Sequence, residues 1–397
     1  MSFVRFPRCA PQLVELENRC TPAIVVDTTV WNPLLPGSLP NAIEEANATA
    51  GQDEIQFDWT ELGNTPNFVV PADESLEVTE GVIIQAGGGN TYAKFTGFRP
   101  FLFTHMLPAP APIGQLPAVD SVINGGYFDG CNVAGDDGGA IKLTAGTLTL
   151  NYNRFIGNQA GSGGAVFVGA EGTLFVGAAQ GQPPAPTAFA EVLGSSAVFF
   201  KSNLAGADGG AIRTIGGHVK LYRAAFYNNE ADLVGGAVAV TLGGTIFAGA
   251  VPNSEDAPEV KFVQNEADEG GAIHLLGGTS SLTSASFTAN KALSGDGGAI
   301  YVSSDLTITN GNFFSNTATG DGGAIRVVAG TTDISGGTIQ ENTAGGDGGG
   351  IAVSGALGVV NASGVAFIRN TATGNGDQYR ANLGGMFNND GTCTFTT

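Results

Sequence analysis

Phe313-Phe314-Ser315-Asn316-Thr317-Ala318-Thr319-Gly320-Asp321-Gly322-Gly323-Ala324-Ile325 is the clearest copy of a pattern, F-x-x-N-x-A-x-x-x-G-G-A-[IV], that returns about every 26 residues through the last two-thirds of the chain. The same order stands at Phe155/Asn158/Ala160/Gly163, Phe226/Asn229/Ala231/Gly235, Phe262/Asn265/Ala267/Gly270 and Phe287/Asn290/Ala292/Gly297. Copies at Phe200/Asn203/Ala205/Gly209 and Ile339/Asn342/Ala344/Gly348 fit with small changes. A looser first copy reads Phe128, Asn132, Ala134, Gly138, and the last, Phe367/Asn370/Ala372, lacks its GGA. A fixed period of this size marks a solenoid, in which each unit buries its apolar face by stacking on its neighbours.

The residues inside the period select the kind of solenoid. Runs such as Ala324-Ile325-Arg326-Val327-Val328, Thr332-Asp333-Ile334 and Thr338-Ile339-Gln340 are short, β-branched and separated by glycine-rich turns, and no unit holds ten residues of helical periodicity. The expectation is an all-β chain, a right-handed parallel β-helix with three short strands per coil and rungs ~4.8 Å apart. The motif copies and the less regular coils before them predict about 12 rungs, a rod of roughly 55–60 Å. Equivalent residues then stack. Phe155, Phe200, Phe226, Phe262, Phe287, Phe313 and Phe367 form an internal aromatic column broken by Ile339, and Asn158, Asn203, Asn229, Asn265, Asn290, Asn316, Asn342 and Asn370 form an amide ladder at a turn, where Asn tolerates a left-handed backbone. The GG pair supplies positive φ at a second turn.

Of the 397 residues, 62 are Gly and 13% are charged, yet 42% are hydrophobic, enough for a core. The net charge of −20 disfavours nucleic acid and anionic membrane as partners. No stretch approaches the ~20 apolar residues of a membrane-spanning helix. Four organisational units follow: 1–23, an export- or attachment-type segment; 24–127, an N-terminal cap and irregular first coils; 128–375, the regular array; and 376–397, a final coil or polar cap with Asn382 and Asp390. Segment 1–23 lacks the apolar core of a signal peptide, and a Cys9–Cys20 disulfide stays open. Ile24–Val30 reads as a strand, and Ser38 caps a helix whose stripe is Leu39, Ala42, Ile43 and Ala46. The 107–117 stretch and the enlarged coils holding 180–184 and 250–256 read as surface loops.

The recurring GGA[ILV] and FxxN tetrads over 128–375 resemble the repeats of the polymorphic outer-membrane protein family, bacterial surface proteins with a β-helical passenger. Gly37–Asn47 followed by Gly51–Asp58 is similar to the entry segment of large exported bacterial β-helix proteins, the CSLREA-type group, where a short helix covers the first coil. The resemblance implies an extracellular or cell-surface location and an adhesion-type function. The chain stops at Thr397 with no room for the family's membrane β-barrel, so autotransport is not expected.

Catalysis is not expected. His105, His218 and His274 occupy unrelated positions, and residues following GGA[IV], among them Lys142, Arg213, His274, Tyr301 and Arg326, should point to solvent. The alternative is a carbohydrate-active β-helix enzyme, a polysaccharide lyase or hydrolase, which needs converging acids and bases. One column carries chemistry of another kind: an acid precedes the glycine pair at Asp137, Asp208, Glu269, Asp296, Asp321 and Asp347. Stacked carboxylates repel unless bridged, which suits Ca²⁺, although Asp before Gly is also ordinary turn chemistry. The expected partners are other copies of the chain, associating end to end into filaments, or a surface polysaccharide or protein.

Overall fold

A single circuit shows how the repeat becomes a coil. After Gly298-Ala299 the chain runs as a strand through Ile300–Ser303, turns, and continues in a second strand, Leu306–Thr309. It bends at Asn310 (φ 52°) into the FxxN strand, Asn312–Phe314, and again at Ser315 (φ 56°) into a two-residue alanine strand, Thr317–Ala318. The acid turn at Asp321, with Gly322 at φ 71°, then begins the next circuit. Alternation sends Ile300, Val302, Leu306, Ile308 and Phe313 inward, where all are buried.

The computed structural model describes residues 23–49, 51–88, 91–104, 120–177, 198–249, 259–382 and 384–396. Cys9, Cys20, His105 and the three expected surface loops lie outside these ranges. Among the described residues, coils pair in parallel throughout, and the one antiparallel contact joins Gly87–Gly88 to Thr91–Tyr92. Parallel crossovers of this kind are right-handed almost without exception. The FxxN strands build a 12-stranded sheet, in line with the expected dozen rungs. The alanine strands build a 9-stranded sheet. The remaining, third parallel sheet takes two segments from most coils, fused into single 11-residue strands at Ile141–Asn151, Val166–Val176 and Ile325–Ser335.

The aromatic column forms the centre. Rings from Phe128 to Phe313 stack with centroids 4.7–4.8 Å apart and planes within 7° of parallel. Strand spacing sets that separation, and Ile339 takes its place in register between Phe313 and Phe367. The column begins earlier than the sequence pattern: Phe68 and Phe95 continue it at 5.5 and 5.2 Å. The described residues of 65–104 and 120–127 thus belong to stacked coils.

Helix α1 (Leu39–Asn47) closes the N-terminal end. Ser38 Oγ accepts the Asn41 N–H at 3.3 Å, and Leu39, Ala42, Ile43 and Ala46 are buried in one cluster with Val26 and Ile55. The strand expected over Ile24–Val30 stops at Val26, because the N–H groups of Asp27 and Thr28 both turn to Gly37 O. At the other end, residues 376–391 do not form a separate cap. Tyr379–Asn382, Met386–Asn389 and Thr394–Thr396 add one more coil, with Phe395 stacked on Phe367 at 5.1 Å.

Candidate functional site

Beside the aromatic column, two polar columns run along the array, and the expected asparagine and acidic residues lie in them. The asparagines are buried and bonded to the limit of their amides. Asn265 Nδ2 donates to Phe226 O at 3.1 Å and to Asn290 Oδ1 at 2.9 Å, while its own Oδ1 accepts from Asn229 N at 3.0 Å and Asn229 Nδ2 at 2.9 Å. Side-chain bonds of 2.8–2.9 Å repeat this from Asn158 through Asn203, Asn229, Asn265, Asn290, Asn316 and Asn342 to Asn370. Gln378 finishes the ladder by accepting from Asn370 at 2.7 Å.

Three expectations need correction here. The left-handed residue is not the Asn but the one before it: Ser202, Asn228, Gln264, Ala289, Ser315, Glu341 and Arg369 all have φ between 48° and 56°. Local strain is placed there so that the next residue can aim its amide along the axis. The loose first copy is also shifted by one, because Cys131 occupies the ladder position. Its N–H donates to Asn158 Oδ1 at 3.0 Å and its Sγ reaches Phe95 O, whereas Asn132 lies outside on Gln159, and Val133 rather than Ala134 matches Ala160. Finally, only the first glycine of each pair has positive φ, as at Gly322. The second is required by close approach: a Cβ on Gly323 would press on Gly349 O in the next coil.

The acidic column is charge-paired at Asp208, Asp296 and Asp321. Five positions after five of the six acids the GGA strand carries a polar or charged residue, giving Asp137/Lys142, Asp208/Arg213, Glu269/His274, Asp296/Tyr301 and Asp321/Arg326, whereas Asp347 is followed by Ala352. Where the turn holds Ser162 or Val234 instead, the fifth residue is Phe167 or Ala239. Arg213 meets Asp208 at 3.1 Å, and Arg326 spans two rungs, with Asp321 at 2.7 Å and Asp296 at 3.1 Å. Asp136, beside Asp137, holds both Arg99 and Lys142; despite burial, which pushes its carboxyl up, these partners bring it down to about 2. The second oxygen of the acid serves the backbone: Asp296 Oδ1 accepts the Asp321 N–H and Asp321 Oδ1 the Asp347 N–H, each at 2.7 Å. Asp347 accepts from Asn375 N at 2.6 Å, and these bonds lower its pKa.

The positions expected to face solvent are therefore half-buried or buried. Arg213, His274 and Arg326 are buried, because the glycine turn folds the acid-bearing segment across this outer face. His274 stacks on Tyr301 at 4.8 Å, and burial, with Arg213 nearby, lowers its pKa to about 4. Burial and the neighbouring Asp296 and Asp268 raise that of Glu269. Among the described residues, no three His, Cys, Asp or Glu side chains gather as a metal-holding group. The i, i+5 alternation was present in the sequence, but its meaning depended on which face the turn covers.

These features define a parallel β-helix whose coils are locked by an aromatic stack, an amide ladder and a charge-paired turn. The Chlamydia polymorphic membrane protein (Chlamydia_PMP) repeat matches residues 284–303, which span the ladder residue Asn290 and the turn at Gly297-Gly298. The match agrees with the general resemblance and fits a bacterial surface β-helix protein. No curated protein and no solved structure matches the chain.

Proposed function

We propose that this protein is a non-enzymatic, secreted or cell-surface β-helix with a structural or adhesive role. The observation that carries the reading is the use of its polar side chains. The asparagines are consumed by the ladder, and Asp208, Asp296, Asp321 and Asp347 by arginine or backbone N–H groups, so most of the polar chemistry of the repeat is spent on stacking coils. His274 is packed against Tyr301, and His218 lies elsewhere on the surface, bonded to Thr245 at 2.8 Å. A charge-paired, hydrogen-bonded rod suits a protein that holds an extended surface away from a cell.

Labelling of intact producing cells with antibody, together with attachment of protein-coated beads to surfaces, tests this reading. Labelling only after permeabilisation would refute the location, and beads no stickier than blank ones would refute adhesion. The enzymatic alternative predicts release of new reducing ends or unsaturated sugars from a polysaccharide panel.

A further inference from the structure

The outer face of the second strands changes character toward the C-terminal half. Thr307, Asp333, Asn361 and Asn388 follow one another in register on successive coils, with Ser335 and Ser363 in a parallel row. Together with Asp390 they line an open groove of about 400 Å³ whose floor is the buried Ile334 and Ala362. That volume lies within the ~300–1,000 Å³ of small-molecule sites.

The row is joined by Asn361 Nδ2 donating to Asp333 Oδ1 at 2.7 Å and Asn388 Nδ2 donating to Asn361 Oδ1 at 2.8 Å. It differs from the buried ladder in one respect that matters for binding. Each inner asparagine is saturated by four bonds, whereas Asn361 spends one N–H and one lone pair here, and Asp333 one oxygen. What remains is an exposed or half-exposed row of donors and acceptors repeating at the ~4.8 Å strand spacing.

We propose that this groove binds an uncharged polysaccharide lying along the rod axis. Sugar hydroxyls donate and accept at once, which matches mixed amide, carboxylate and hydroxyl groups. The two carboxylates and the chain's charge of −20 oppose polyanions such as nucleic acid or sulfated glycans. The proposal deepens the surface-attachment reading, on which its biological role rests, by giving it a ligand class and a place.

The test is retention of the full-length protein on immobilised mannan, β-1,3-glucan, chitosan and heparin. Mannan or β-1,3-glucan should be bound, and Asp333→Ala/Asn388→Ala should weaken that binding at least about tenfold at an unchanged melting temperature. Thr307→Arg, which blocks one end of the groove and leaves Asn361 and Asn388 in place, should do the same and covers the case in which the double variant is destabilised. No retention on either neutral polymer, retention on heparin alone, or wild-type affinity in the folded variants would each overturn the proposal. Beads coated with groove variants that still adhere normally would overturn the groove while leaving the adhesive reading intact. Neutral-polymer binding lost in the variants, by a protein that never reaches the cell surface, would support the groove and remove the reading instead.

Discussion

Replacing Asn290 by Ala cuts the amide ladder at its middle. Four bonds are lost: Nδ2 to Phe262 O at 3.0 Å, Nδ2 to Asn316 Oδ1 at 2.9 Å, and the two bonds that Asn290 Oδ1 accepts from Asn265 N at 3.0 Å and Asn265 Nδ2 at 2.9 Å. The Asn265 N–H loses its acceptor in a buried turn, at roughly 1–3 kcal/mol, and the other partners each lose about 1 kcal/mol. The expected destabilisation is about 3–6 kcal/mol. Asn290→Asp should be worse at neutral pH, because it sets a buried carboxylate against two acceptor oxygens. Urea unfolding gives the magnitude, and hydrogen exchange gives the location. In a solenoid the loss should concentrate in the coils around Asn265, Asn290 and Asn316 and leave the coil of Phe155 protected. Asn132→Ala, at the exposed position just outside the ladder, is the control and should change stability by a few tenths of a kcal/mol. A loss below about 1 kcal/mol at Asn290, or one equal to the control, would refute the account of the ladder.

Phe287→Ala removes a fully buried ring from the stack and should destabilise by about 3–5 kcal/mol in the same urea assay. Asp208→Val alone leaves Arg213 buried without its carboxylate and should be strongly destabilising, whereas Asp208→Val/Arg213→Ala copies the natural Val234/Ala239 rung and should recover most of the loss; a double variant as unstable as the single would refute charge pairing. His274 has its pKa lowered from 6.5 to about 4, so the unfolded chain takes up the proton first: its contribution is full above pH 6.5 and falls as pH drops toward 4, by on the order of 3 kcal/mol. His274→Phe should flatten that part of the stability profile, and an unchanged slope would refute it. Calcium bridging of the acidic column remains a proposal, centred on Glu269, whose neighbour His274 at 3.8 Å is uncharged near neutral pH: millimolar Ca²⁺ should raise Tm by a few degrees, more than Mg²⁺, and Glu269→Gln should remove the response. End-to-end association likewise remains a proposal, tested by sedimentation of the chain against one lacking residues 1–30.

What the sequence determined by itself is whatever repeats along the rod. Because each coil lies over the last with its strands in register, Phe287 and Phe313, or Asn290 and Asn316, must meet once the period is known, and the number of rungs follows from the same count. The glycines and the helix behind Ser38 were legible for local reasons of backbone and periodicity. The tertiary structure decided everything that depends on direction across the coil. It placed the left-handed residue before each asparagine, gave Cys131 the ladder position that Asn132 seemed to hold, and carried the stack back to Phe95 and Phe68. It also folded the acid turn over Arg213, His274 and Arg326, converting an expected solvent face into a buried ion-paired one. Asp333, Asn361 and Asn388 carry no shared motif, and their groove exists because parallel pairing sets residues from successive coils side by side on an outer face. Translation along the axis is written in the period; which way a side chain turns at each bend is fixed by packing between coils, which no single repeat contains.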